Sequence, residues 1–281
     1  MKRKRLLLHI CCAPDAAIIP DRLSDDWDVT CFFFNPNIFP SDEHDRRAAE
    51  MKRLAADKGY DLVSPSYQPD RFSSWAADYL YHPEKSGRCS KCYRLRLEES
   101  AAYAAEYGFD AFATVLTVSP HKPAERLNRI GQAVARKTGV PYLDSDFKKE
   151  DGYRESVKEA GRLDLYRQDY CGCESSLQYR TMFKSASAQD TLALVSGQRI
   201  GIYDVQSFRK WLDRNGQDTG FLFYTEKPTK AVFREAYELR IFLEPDEHQE
   251  WRKRIFGKKE VSLIFLHIGQ VSNRDIFQDP F

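Results

Sequence analysis

Leu6-Leu-Leu-His-Ile-Cys-Cys-Ala-Pro-Asp15 is a short apolar run that ends in two adjacent cysteines, Cys11 and Cys12, with Pro14 and Asp15 directly behind. A run of this length bounded by a Pro-containing turn reads as a buried strand of a parallel sheet. Open α/β sheets bind ligands at the carboxyl ends of such strands, and the two cysteines stand at that end. Vicinal cysteines reach disulfide geometry only with strain, because a bridge needs a specific dihedral and Cα separation. They are better suited as a soft-ligand pair, the alternative being two packed thiols. His9, inside the run, reads as a satisfied core histidine.

Working outward, Val29–Phe34 is a second apolar strand that stops at the turn Asn35-Pro-Asn37. Ser41–Lys58 has apolar residues at helical spacing with Gly59 as its C-cap, and Tyr60–Val63 is a third strand. A helix through Phe72–Tyr81 is broken by His82-Pro83 and Gly87. Cys89 and Cys92 open the next helix, which runs to about Gly108. Thiols three apart at a helix start point the same way, and the helix dipole favours their thiolates. Asp110–Val118 is expected as a strand, residues 123–138 as a helix, Tyr142–Asp144 as extended and Asp151–Ala160 as a helix. This alternation predicts an α/β fold, an open and mostly parallel sheet with helices on both faces.

Beyond Lys184 the texture changes. Ser185–Gln189 is small and polar, a linker in composition, and the remainder has no cysteine. Phe221–Tyr224 and Val261–Leu266 read as strands, Thr229–Glu244 and Pro245–Phe256 as helices. The expected organisation is therefore a cysteine-rich α/β domain over residues 1–184 and a small α+β extension over residues 185–281, of no legible role.

The chain has 281 residues, 42% hydrophobic and 30% charged, enough for a sizeable core in an ordinary globular protein. Lys plus Arg number 43 against 42 Asp plus Glu, so the net charge of +1 neither favours nor excludes a nucleic-acid partner. Basic Met1–Arg5 followed by Leu6–Cys12 imitates a lipoprotein signal, but His9 interrupts the run and no small-residue cleavage site follows. No stretch approaches the ~18–20 apolar residues of a membrane span. A cytoplasmic protein with no membrane partner is expected.

Six of the seven cysteines fall into three close pairs, Cys11-Cys12, Cys89-x-x-Cys92 and Cys171-x-Cys173, while Cys31 lies in the second strand as packing. Tight pairs in such a chain point to metal or redox chemistry rather than to a disulfide framework. Cys11, Cys12, Cys89 and Cys92 supply the four thiolates of a 4Fe-4S cluster, and equally those of a structural zinc. The large core, which needs no zinc staple, and the extra Cys171-x-Cys173 pair favour the cluster. That last pair, in a Gly-containing loop, reads either as a strained, reducible disulfide or as further metal ligands.

Several ordered motifs together resemble the cobalamin-independent epoxyqueuosine reductases of the QueH type. They are residues 6–15, Phe32-Phe-Phe-Asn-Pro-Asn-Ile-Phe-Pro40, Arg88–Glu98 around Cys89 and Cys92, Thr114–Pro120, Asp146-Phe147 and Leu165–Cys173. The resemblance implies a sheet of the nucleotide-binding HUP class and, as activity, reduction of epoxyqueuosine in the tRNA anticodon loop to queuosine, the last step of that modification. It implies that Cys11, Cys12, Cys89 and Cys92 hold the 4Fe-4S cluster and that Cys171 and Cys173 form a redox-active disulfide. Many relatives carry a cysteine where this chain has Asp15, and a carboxylate there suits a second, mononuclear iron.

The implied partners are tRNA bearing epoxyqueuosine and an unidentified electron donor. His121 and Asp146, at strand ends, are positioned as proton donors. Lys2–Arg5, Arg46, Arg47, Arg94, Arg96, Lys148, Lys149 and Arg154 are the candidate phosphate contacts, and Phe34, Tyr93, Tyr166 and Tyr170 the candidate base-stacking rings. Two other readings compete. One is a metal- or redox-sensing nucleic-acid-binding protein. The other is an ATP-using tRNA thiolation enzyme, which needs a Gly- and Ser-rich phosphate loop where this chain has Cys-Cys-Ala-Pro-Asp.

Overall fold

Strand β1 (Lys4–His9) lies inside a sheet, paired in parallel with β2 (Trp27–Phe32) on one side and β4 (Ala111–Thr114) on the other. β3 (Asp61–Val63) pairs beyond β2, which gives the order β3-β2-β1-β4 with every pairing parallel. The computed structural model describes residues 3–79, 85, 87–177, 180, 192–214, 216, 220–239, 241–245 and 263–267.

Successive side chains of β1 point to opposite faces, and each face meets its own core. Leu6, Leu8 and Ile10 pack with Met51, Leu54 and Ala160, while Leu7 packs with Phe32, Phe112, Leu97 and Ala101. A strand covered on both sides must be apolar throughout, which is why the run lacks an alternating pattern. Full burial of each leucine stabilises the fold by about 1.5–3 kcal/mol.

The covering helices are α1 (Ala13–Ala16), α2 (Ile19–Leu23), α3 (Ser41–Lys58), α4 (Pro69–Ala76), α5 (Gly87–Glu106), α6 (Ala124–Thr138) and α7 (Gly152–Arg162). α3 ends at the expected Gly59, which takes φ 71° and returns its N–H to the Ala55 carbonyl. The strand expected over Asp110–Val118 stops early. The Thr114 side chain accepts the Leu116 N–H at 3.1 Å and turns Val115–Val118 into a 3-10 helix. Tyr142–Asp144 contributes a single parallel bridge, Tyr142 to Phe112. The helix expected to Tyr81 is α4 followed by a 3-10 turn at Ala77–Tyr79, its remainder falling outside the described residues.

The described residues of Met1–Ala77 and Cys89–Leu177 form this first unit, and those of Asp78–Arg88 and Gln178–Phe281 a second. The second contains β5 (Leu192–Arg199), α8 (Ile202–Arg214), β6 (Gly220–Glu226), α9 (Lys230–Glu238), β7 (Ile241–Pro245) and β8 (Leu263–His267). Its strands order as β7-β6-β5-β8, again all parallel. Strands therefore alternate with helices where a segregated α+β extension was expected. Three elements missing from the sequence reading, β5, α8 and β7, account for the difference.

The helix expected over Thr229–Glu244 ends at Glu238, and Ile241–Pro245 is a strand whose Ile241 and Leu243 enter a core with Val205, Phe208, Leu212 and Phe233. The expected linker Ser185–Gln189 and residues 246–256 of the expected last helix lie outside the described residues. Among the described residues, no helix is long and apolar enough to cross a membrane.

Candidate metal and thiol site

Past His9 the chain crosses Ile10 to Cys11 and Cys12 at the carboxyl edge of the sheet. Asn35 Nδ2 donates to the Ile10 carbonyl at 2.9 Å, tying the turn after β2 to the turn after β1. Cys12 holds the extended N-cap position of α1, whose early proline fixes the turn that carries Asp15. Cys11 Sγ consequently lies 3.8 Å from Cys12 Sγ and donates to Asp15 Oδ2 at 3.0 Å. The three donor atoms lie within 4.8 Å of one another, close enough to hold a metal ion. Cys12 is pushed down from the ordinary thiol range, first by its hydrogen bond with Cys11 and further by Arg47 and Gln168, against the effect of burial. Cys11 is pushed up by the same bond, by burial and by the Asp15 charge, so of the two Cys12 is the readier thiolate.

α5 brings the second pair. Cys89 and Cys92 occupy its first turns, both buried. Trp75 of α4 donates its indole N–H to the Lys91 carbonyl at 3.0 Å and fixes that end of the helix. One turn on, Arg96 is buried, donating through Nε to the Cys92 carbonyl and through Nη1 to Asn35 Oδ1, each at 3.3 Å. Burial disfavours its charge, but Cys92, Cys171 and Cys11 together outweigh burial and hold the guanidinium protonated. Tyr93 is raised by burial first and then by Cys89, Cys171 and Cys92. Four cysteines from three segments thus converge on Arg96 and Tyr93. Cys89 and Cys92 are not part of the close Cys11-Cys12-Asp15 group.

The third pair sits on a loop clamped by Arg47, a buried side chain of α3. Its Nε donates to Glu43 at 2.7 Å, Nη1 to the Cys171 carbonyl at 3.1 Å and Nη2 to the Tyr170 carbonyl at 3.3 Å. Glu43 in turn accepts the Tyr166 hydroxyl at 2.9 Å. Gly172 has φ 131°, and a Cβ there would lie 3.1 Å from Arg47 Nη1 and 3.2 Å from Ile38 Cγ1, so the Cys-Gly-Cys spacing is a local steric requirement. Phe39 N–H donates to the Gly172 carbonyl at 2.8 Å, and Gln168 Nε2 donates to Cys12 Sγ at 3.1 Å. Cys171 is half-buried, Cys173 buried, and both are thiols.

Other expected residues are placed differently. His9 is a core residue: the Thr114 hydroxyl meets Nδ1 at 3.0 Å and the Phe34 carbonyl faces Nε2 at 3.2 Å, so Nε2 donates to that carbonyl and Nδ1 accepts from Thr114. Asp146 is ion-paired with Lys148 at 2.6 Å, the arrangement of a carboxylate acceptor, and His121 is exposed. Arg47 and Arg96 are internal cations, while Phe34 and Tyr93 are buried rings. Arg3 and Arg5 flank the amino end of β1, about 20 Å of strand from the cysteines. Arg46, Arg94, Lys149 and Arg154 are exposed.

Sequence reasoning missed Lys122, Asn35, Asn37, Phe39 and Gln168. Burial alone would depress Lys122, yet Cys171, Cys11 and Asp15 around it push it up, making it a cation of the site. Its neighbourhood with Ser119-Pro120 was legible as a strand-end turn, where ligands bind.

A parallel α/β unit whose first strand delivers paired thiols and a carboxylate to its carboxyl edge defines a protein equipped for metal and thiol chemistry. Residues 6–179 match the family model described as epoxyqueuosine reductase QueH, and the chain belongs to that family. Proteins named epoxyqueuosine reductase QueH include one from Streptococcus pyogenes, 37% identical over 177 residues, which span 61% of this chain and 69% of that protein. One from Staphylococcus epidermidis is 34% identical over 66% of this chain and 84% of its own. Another from Acinetobacter baylyi is 32% identical over 68% and 88%.

Proposed function

We infer that this chain is an oxidoreductase that reduces the epoxide of epoxyqueuosine in tRNA to the alkene of queuosine, acting in the cytoplasm. The observation that carries the reading is the junction of the Cys171 loop with the Cys11-Cys12-Asp15 group, made through Gln168 and Cys12. Removing an epoxide oxygen as water consumes two electrons and two protons. Oxidation of the Cys171/Cys173 dithiol to a disulfide releases that same number of each, so one dithiol balances one turnover.

Cys11, Cys12, Cys89 and Cys92 are proposed to hold a 4Fe-4S cluster, with Asp15 offering a harder ligand to a second iron. The donor set fits: four buried thiols, one carboxylate, and two cations, the buried Arg96 and the half-buried Lys122, that offset anionic charge. When bound, such a centre supplies single electrons and a Lewis acid for the epoxide oxygen.

The remaining roles belong to this chain. Arg47 holds the dithiol loop, and Lys122 is the protonated group placed beside Cys171 and Asp15 to deliver a proton to the departing oxygen. Catalysis is assigned to residues 1–184, with 185–281 as an extension. The test is Cys171→Ser protein purified without oxygen. Unchanged iron and sulfide per chain with loss of multiple turnover on epoxyqueuosine tRNA is expected, whereas full turnover would remove the dithiol from the reaction.

A further inference from the structure

Buried polar atoms in native proteins nearly always have hydrogen-bond partners, so those that lack one call for an explanation. Three such atoms belong to residues of the cysteine site: Gln168 Oε1, Asn37 Oδ1 and Arg96 Nη2. Gln168 Nε2 donates to Cys12 Sγ at 3.1 Å. That contact uses the amide nitrogen and leaves Oε1 buried without a partner. Asn37 lies beside the dithiol loop, its Nδ2 being 3.5 Å from the position a Gly172 Cβ would take. Arg96 uses Nε on the Cys92 carbonyl and Nη1 on Asn35, leaving Nη2 over.

The site thus holds two uncommitted acceptors and one uncommitted donor. Bare thiol or metal chemistry uses none of them. A molecule with hydroxyl or ammonium donors and one acceptor oxygen would satisfy all three.

We propose that Gln168, Asn37 and Arg96 form the polar subsite that receives the hydroxylated five-membered ring and linking amine of the modified nucleoside, the two carboxamide oxygens accepting from its hydroxyl and amine donors. The proposal rests on the reductase reading above. It makes Gln168 and Asn37 specificity-determining residues, reading the modification rather than the RNA around it. Losing one such hydrogen bond is worth about tenfold in affinity.

The experiment measures binding of anticodon stem-loop RNA carrying queuosine, which keeps the hydroxyls and amine, against the same RNA carrying unmodified guanosine. The proteins are the wild-type holoenzyme and Gln168→Leu, Gln168→Glu and Asn37→Leu. Wild type should prefer the modified RNA. Gln168→Leu and Asn37→Leu should each cut that preference about tenfold while leaving affinity for the unmodified RNA, the control for folding, unchanged. Gln168→Glu, which keeps an acceptor oxygen, should retain the preference. Leucine variants that discriminate as wild type does overturn the subsite. A wild-type protein that leaves epoxyqueuosine RNA unreduced under anaerobic reducing conditions overturns the reductase reading instead.

Discussion

His9 stands two residues before Cys11 and titrates far from its ordinary range. Burial, with Arg96 and Lys122 adding positive charge, brings it from 6.5 down to about 3. A histidine neutral in the fold and chargeable when unfolded contributes its stability above pH 6.5 and loses it as pH falls towards 3. Stability should therefore drop by about 1.4 kcal/mol per pH unit through this group, and denaturant titrations from pH 7 to 4.5 should show a shallower slope for His9→Gln. Gly172→Ala places a Cβ against Arg47 and Ile38 at a φ that side chains avoid. It should cost about 2 kcal/mol in thermal or chemical denaturation. Arg47→Met strands Glu43 and two carbonyls, and about 3 kcal/mol should be lost in the same assay. His9 was legible as a core histidine, whereas the roles of Gly172 and Arg47 were not. An arginine at helical spacing looks solvated until the fold shows which side of the helix is covered, as with Arg47 and Arg96.

At the scale of elements, legibility followed punctuation. β1 and α3 were readable because turn residues bracket them: Pro14 after one, Gly59 after the other. The cysteine pairs were readable for the same reason, each lying at an element boundary where the chain must change direction. The α9-to-β7 passage carries no glycine or proline between Glu238 and Ile241, so a helical pattern ran on past its true end. β5 was missed because Ser196-Gly197 interrupts its apolar run. α8 carried Val205, Phe208 and Leu212 at helical spacing and was legible in principle. The cap of α3 has its own test. A Cβ at Gly59 meets nothing within 4 Å, so Gly59→Ala probes only backbone conformation. It should lower stability by about 1 kcal/mol and leave the proposed iron centre unaffected, read as iron per chain.

For the whole molecule, the described residues build three cores. Two flank the first sheet, and a third, built on Phe208, Leu222 and Phe233, belongs to the second. A chain ending at residue 184 keeps the first unit whole, though Asp78–Arg88 loses the rest of the unit it belongs to, and it should retain the proposed iron centre and turnover when measured against the full chain at equal concentration. Loss of metal would assign the extension a structural duty. The family match over residues 6–179 was legible because three cysteine pairs and the motifs around them are a specific pattern. The extension has no such pattern, and its parallel sheet became visible only in the structure.

Both sheets run in one order, the third strand outermost and the fourth beside the first. Where β1 is followed by Ile10-Cys11-Cys12, β5 is followed by Ile200-Gly201-Ile202. The same turn position carries sulfur in one unit and glycine in the other: one strand order presents different atoms at its carboxyl edge, and the residues set there give the first unit its paired thiols.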